Sequence, residues 1–275
     1  MAVDPALRCF YAEEVRAAAA LPEGRETARV LDAFAAVPRE DHSGPGPWLL
    51  RSARLDLPSR RTPDADPARL YHNVLIALDE DQGINIGEPA LWARFFQHFA
   101  VPLGARVLQV GTGTGYFTAI LAELVGPGGH VMATEVEDAL ADRATVALQN
   151  RPNVSVRQGN GALDVTPDDG LFDLIVAFAG VTHPAAAWHA ALAPGGRMAL
   201  PITGSDWWGA MVLFSPTPDG FEGMTLGKCG FYPCAGARDA RMERHLDAFW
   251  SDPARLDGAK IRLGAGDGAI YEALT

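Results

Sequence analysis

The run Arg106-Val-Leu-Gln-Val110, Gly111-Thr-Gly-Thr-Gly115, Tyr116-Phe-Thr-Ala-Ile-Leu-Ala-Glu-Leu-Val125 constrains the fold more than any other stretch of the chain. A short apolar strand enters a glycine turn and leaves it as a helix, which Gly126-Pro-Gly-Gly129 stops. The alternation then repeats. A strand His130–Thr134 ends at Glu135, a helix follows from Asp138 to Gln149, and a strand Val154–Arg157 leads into Gly159-Asn-Gly161. A strand Phe172–Phe178, a helix over 184–192, Pro194-Gly-Gly-Arg197 and a strand Met198–Pro201 complete the series. Strands alternating with helices of this length predict an α/β fold, a doubly wound and mostly parallel sheet with helices on both faces.

The flanks differ in character. Residues 5–36 carry apolar positions at helical spacing, with Gly24 breaking the run and Val37-Pro38-Arg39 ending it. Ser43–Asp66 is rich in Pro and Gly and predicts an ordered loop, and Tyr71–Leu78 predicts a short strand. Beyond Pro201, Trp207-Trp208, Met211–Phe214 and a segment near Met224–Tyr232 predict further strands at the sheet edge, and 239–250 predicts a helix. Three segments follow: residues 1–100 as an N-terminal helical and loop segment, 101–215 as the ligand-binding core, and 216–275 as a C-terminal extension packed on it.

Charge narrows the function. Lys+Arg is 23 against Asp+Glu 34, a net charge of −11, which argues against nucleic acid or an anionic membrane as partner. The cysteines Cys9, Cys229 and Cys234 give neither a disulfide framework nor a metal-ligand pattern, so no metal site is expected. The N-terminal residues lack a signal-peptide pattern and no apolar run is long enough to span a bilayer, so a cytoplasmic location is expected. Oligomeric state is not readable.

A glycine turn between strand and helix opens backbone N–H groups at a helix N-terminus to a ligand. A dinucleotide, a nucleoside or a plain tight turn would all use it. Gly111-x-Gly113-x-Gly115 is not G-x-G-x-x-G, because Tyr116 occupies the place of the third dinucleotide glycine; a bulky residue there suits a ligand lacking a diphosphate. Glu135, at the end of the next strand, can accept both hydroxyls of a ribose, or be a plain strand-end acid. Asn160 is placed to meet an adenine edge, or serves as a left-handed turn residue.

The run VLQVGTGTGYFTAILAELVG, the GNG loop, FDLIVAFAG and LAPGGRMALPI resemble the class I S-adenosylmethionine methyltransferases. Ala35-Ala-Val-Pro-Arg39, Gly83-Ile-Asn-Ile-Gly-Glu-Pro89 and Phe231-Tyr-Pro-Cys234 narrow the resemblance, over roughly residues 30–235, to the protein-L-isoaspartate O-methyltransferase type. It implies a Rossmann-like core and S-adenosyl-L-methionine as cofactor. Gly111, Thr112, Gly113 and Gly115 would lie against the methionine part, Glu135 on the ribose, and Asn160 with Gly161 on the adenine; Gln109 and Tyr116 complete the cofactor set. Ile84, Asn85, Ile86 and Gly87 would form the lid on the acceptor side, with His183 near the substrate.

The chain departs from that family at several places, among them Asn85, where the family carries a threonine. Gln109 replaces an acid, so a charge is lost while hydrogen bonding survives. Asn160 replaces an aspartate, keeping an acceptor. Gly87 replaces a serine, which removes a hydroxyl beside the methyl acceptor and is expected to enlarge the site. The reading is therefore an O-methyltransferase acting on a carboxylate of a protein or peptide, but not a generic isoaspartate-repair enzyme. A carboxylate with a pKa near ~4 is already ionised at neutral pH, so no general base, and no catalytic residue in the strict sense, is required. The alternatives are a small-molecule methyltransferase of the same fold and a non-catalytic S-adenosylmethionine-binding module.

Overall fold

The computed structural model describes residues 3–52, 57–264 and 271–274. They form two compact units, one of residues 1–104, 112–129 and 137–155, the other of 105–111, 130–136 and 156–275.

In the first unit, helix α1 (Pro5–Ala18) begins with Pro5 at its first turn and with the Asp4 carboxylate accepting from the Ala6 amide at 2.9 Å. Helices α2 (Arg25–Ala36) and α3 (Glu40–Ser43) follow. The stretch expected as loop contains two short strands, β1 (Leu49–Arg51) and β2 (Arg60–Arg61), while its residues 53–56 lie outside the described residues. With β3 (Leu75–Ala77) and β4 (Asn85–Ile86) they form an antiparallel sheet of order β2-β1-β3-β4. The strand expected over Tyr71–Leu78 is thus confined to β3. Helix α4 (Pro89–Phe99) buries Trp92, Phe95, Phe96 and Phe99. It packs on α1 and α2, and α2 also packs on α5 (Tyr116–Val125). Every residue of α5 except Glu123 is buried, which explains why the helix is apolar all round. Helix α6 (Asp138–Leu148) packs against α3.

The large sheet runs β13-β12-β11-β10-β9-β8-β5-β6-β7. Its strands are β5 (Arg106–Val110), β6 (His130–Glu135), β7 (Val154–Gln158), β8 (Phe172–Ala177), β9 (Leu192–Thr203), β10 (Trp208–Thr217), β11 (Gly220–Gly230), β12 (Asp257–Gly264) and β13 (Tyr271–Ala273). The pairs β5·β6, β5·β8 and β8·β9 are parallel, the alternating α/β part. The pairs from β9 through β13 are antiparallel, so the C-terminal extension continues the sheet. Strand β9 starts at Leu192, earlier than expected. Its register against β8 shifts between Phe172 and Leu174, where Gly195 takes a left-handed φ of 77° and absorbs the turn-like Pro194–Gly196 as a bulge. Helices α7 (Ala186–Ala191) and α8 (Ala240–Phe249) complete the second unit. Its core joins Leu108, Val110, Ile175, Leu200, Val212, Phe214 and Leu246.

Candidate functional site

Parallel pairing sets Val110 beside Thr134, which brings Gly111 level with Glu135 just beyond it. The Gly111 amide donates to the Thr134 carbonyl at 2.9 Å, and the Gly159 amide donates to the Glu135 carbonyl at 2.8 Å. Gly161 closes the group: a Cβ there would lie 2.2 Å from Thr134 Oγ1 and 3.0 Å from a Val110 methyl, so only glycine fits. Gln109, Gly111, Glu135, Asn160 and Gly161 are therefore gathered at the carboxyl ends of adjacent strands, where open α/β sheets bind ligands.

Two side chains here are acceptors of the kind an adenosyl ligand needs. Gln109 is fully buried; its Nε2 donates to the Gly111 carbonyl at 3.4 Å, and its Oε1 has no partner among the described residues. An acceptor buried without a donor is costly, so it suits a ligand ammonium or hydroxyl group. Glu135 is 7% exposed, and one of its oxygens accepts from the Val136 amide at 3.0 Å. A carboxylate can accept further, as ribose hydroxyls require. These residues fit an adenosyl ligand carrying an amino acid.

Asn160 does not take the left-handed φ expected of a turn residue, and its side chain is engaged locally. Its Oδ1 accepts from the Ala162 amide at 2.9 Å, an Asx turn, and its own amide donates to Asp164 Oδ2 at 2.6 Å. The carboxylate of this turn is thus Asp164, four residues on. The sequence signal for it is the acid within Gly159–Asp164.

The remainder of the glycine turn belongs to the first unit. Gly113 and Gly115 take left-handed φ values of 57° and 87°, and open space surrounds the Cβ position of Gly113, leaving its backbone approachable. Gly115 is required for space as well, because a Cβ would lie 2.7 Å from a Leu148 methyl. Thr112 shares a hydrogen bond with Thr118, and the buried Thr114 Oγ1 has no partner among the described residues. Tyr116 turns its side chain away into the helical core. It is 2% exposed, its hydroxyl lies 3.1 Å from that of Tyr11, and burial raises its pKa well above the ordinary value. Its contribution to a ligand is limited to the backbone N–H.

Sequence reasoning missed what holds this turn. The His42 Nδ1 lies 2.8 Å from the Thr114 carbonyl. Arg39, fully buried, donates to the carbonyls of Leu70 (2.6 Å), His72 (2.8 Å) and Val74 (3.0 Å). Its guanidinium lies 5.4 Å from the ring centres of both Tyr11 and Tyr116. The sequence signal for this clamp is Val37-Pro38-Arg39, which ends a helix and belongs to a motif of the resemblance but does not by itself show what Arg39 holds.

Ile84–Gly87 lies on and beside β4, in the first unit, with Ile86 buried. The expectation that Gly87 enlarges the site is corrected: a Cβ there would meet Trp92 Nε1 at 2.8 Å and Cδ1 at 3.2 Å. Trp92 fills the space that a side chain at 87 would need. His183 sits on the connection after β8, its Nδ1 2.8 Å from Thr182 Oγ1, and burial pushes its pKa down while Asp239 opposes the shift. It is a neutral imidazole at pH 7.

The sequence model of the family described as protein-L-isoaspartate(D-aspartate) O-methyltransferase matches residues 63–237. A protein-L-isoaspartate O-methyltransferase of Anaeromyxobacter dehalogenans is 40% identical over 123 residues, which is 44% of this chain and 57% of that protein. One from Photorhabdus laumondii is 33% identical over 182 residues, 66% of this chain and 76% of that protein. The chain thus spans little more than half the length of the Anaeromyxobacter relative. A solved protein-L-isoaspartate O-methyltransferase structure gives a TM-score of 0.68 at 22% identity, covering 86% of this chain and 69% of the other. A Plasmodium falciparum structure, described as a candidate member in complex with S-adenosyl-L-homocysteine, gives 0.61 at 17% identity, covering 83% and 98%. These likenesses show the α/β methyltransferase fold. With the family match running from β3's approach through Phe231-Tyr-Pro-Cys234, this chain belongs to the protein-L-isoaspartate(D-aspartate) O-methyltransferase family.

Proposed function

We propose that the chain is an S-adenosylmethionine-dependent O-methyltransferase that esterifies a carboxylate of a protein or peptide, and that this acceptor is a dedicated one and not the generic isoaspartyl site. The observation that carries the cofactor assignment is the buried, unpartnered Gln109 Oε1 on β5 with the Glu135 carboxylate at the end of adjoining β6. S-adenosylmethionine, when bound, supplies a sulfonium methyl group for in-line displacement by a carboxylate oxygen. Gln109 would accept from its amino group, Glu135 would accept from its ribose hydroxyls, and Gly111, Thr112, Gly113, Gly115 and the Tyr116 N–H would line its amino-acid end. Gly161 gives the adenine room, and Asn160 with Asp164 shapes the turn beside it.

On the acceptor side, Ile84–Gly87 would orient the carboxylate and exclude water, and His183 is taken by itself as a candidate substrate contact. Positioning of this kind is worth effective molarities on the order of 10⁵–10⁸ M, with no proton to be moved. The dedicated acceptor is inferred from Gly87, whose neighbour Trp92 leaves no space for a hydroxyl-bearing side chain. A lost positioning contact to a reacting carboxylate costs about 2–4 kcal/mol in the transition state. The test is transfer of labelled methyl groups to a generic isoaspartyl peptide, with base-lability of the product as the mark of an ester. The expected result is ester formation with kcat/KM well below the ordinary enzymatic range of about 10⁴ M⁻¹s⁻¹ or more. A value inside that range overturns the dedicated acceptor, and a base-stable product overturns carboxyl methylation.

A further inference from the structure

The first unit holds a cavity of about 410 Å³ that no part of the proposed chemistry uses. Arg60, Arg61, Arg69 and His72 line it, with Leu50 and Thr62 among the residues of its wall. A concentration of guanidinium groups stands out in a chain of net charge −11. Arg60 makes no ion pair among the described residues. Arg61 pairs with Glu80 at 2.6 Å and Arg69 with Asp64 at 3.1 Å, but all four of these side chains are about half exposed. Exposed pairs of this kind are worth about 0–1 kcal/mol, so an entering anion can compete for either arginine. His72 adds a polar ring without a charge at neutral pH, because burial and then the nearby Arg60 and Arg39 lower its pKa.

The register of the small sheet relates this cavity to the acceptor segment. Leu49 pairs with Arg61, and Ala77 pairs with Asn85. The pairing of Leu50 with Ile76 puts Leu49 level with Ala77. Arg61 and Asn85 therefore lie in one cross-strand row, on the same face, at opposite edges of the sheet. Strand spacing of about 4.8 Å makes that separation about 14 Å, which an extended peptide covers in about four residues.

We infer that the arginine cavity binds an acidic side chain of the acceptor peptide, about four residues from the carboxylate that is methylated. The inference rests on the proposed function for the identity of the acceptor segment. Bidentate guanidinium–carboxylate pairing supplies the recognition, and it fixes which carboxylate of a peptide reaches the lid. The substrate class is a peptide with two acids at a set spacing.

Fluorescein-labelled Ser/Gly peptides carrying one acceptor carboxylate, made both as an aspartyl and as an isoaspartyl series, with a single glutamate or glutamine at increasing separations from it, test this by anisotropy in the presence of S-adenosylhomocysteine. Glutamate at about four residues is expected to bind about tenfold more tightly than glutamine at the same place, with less discrimination at shorter and longer separations. Arg61→Glu, in the row that holds Asn85, is expected to abolish the preference, and replacing the peptide glutamate by lysine to restore binding to that variant. Equal affinity for glutamate and glutamine at every separation overturns the inference, as does an unchanged preference in Arg61→Glu. Calorimetry with S-adenosylmethionine on the same preparations separates the two readings. Cofactor binding without glutamate discrimination overturns the cavity assignment alone, and discrimination without cofactor binding overturns the proposed function alone.

Discussion

The indole nitrogen of Trp92 stands 2.8 Å from the point where a Cβ on Gly87 would lie. The glycine of the acceptor segment is therefore imposed by its neighbour. Trp92 is 1% exposed and wedged among Phe95, Phe96 and Phe117, so it has little freedom to withdraw. Gly87→Ser is expected to destabilise the fold by about 1–3 kcal/mol, the scale of overpacking. In a Trp92→Phe background the same change is expected to cost less, with a coupling of about 0.5 kcal/mol or more. Urea unfolding of the four proteins measures both; additive effects contradict the steric account.

Arg39 is a buried cation held by three backbone carbonyls and two tyrosine rings. Lysine keeps the charge but not the planar fork that reaches three acceptors at once. Arg39→Lys and Arg39→Met are both expected to cost about 2–4 kcal/mol by urea unfolding, since carbonyl partners are left behind in each. A near-neutral Arg39→Lys contradicts the clamp.

Burial holds the His42 pKa below its ordinary value, against the opposing effect of its hydrogen bond to Thr114. The unfolded chain then binds more protons than the folded one below about pH 6.5. The stability tied to neutral His42 is thus complete above that pH and is lost as pH falls through it toward the folded-state pKa, at up to about 1.4 kcal/mol per pH unit. His72 and His183 are shifted the same way by burial. His42→Asn, whose amide can replace the Nδ1 donor, is expected to flatten the loss of stability between about pH 7 and about pH 5. An unchanged slope contradicts it.

What could be read from the sequence follows from length and periodicity. β5, β6 and β8 are apolar runs bounded by glycine or polar turns, and their helices have room for a clear period, so the parallel core and the extension beyond it were legible. β1, β2, β3 and β4 have two or three residues each, too few for an alternation to show, and the small sheet was hidden. Helix α4 is absent from the elements expected above, although Trp92, Phe95, Phe96 and Phe99 recur at helical spacing. Glu135 is marked by its place at a strand end, whereas Gln109 and Gly161 enter through the resemblance. The His42 to Thr114 bond, the Trp92 wedge against Gly87 and the capture of Asn160 Oδ1 by its own turn are contacts between chosen rotamers, and no spacing encodes them.

The most direct measurement is calorimetric titration of S-adenosylmethionine into the wild type and Glu135→Ala. The wild type is expected to bind, and the variant to lose about 1.5–3 kcal/mol, the scale of a hydrogen bond to a charged acceptor. Equal affinity in the two proteins contradicts the assignment of Glu135, and binding of NAD without S-adenosylmethionine contradicts the account as a whole.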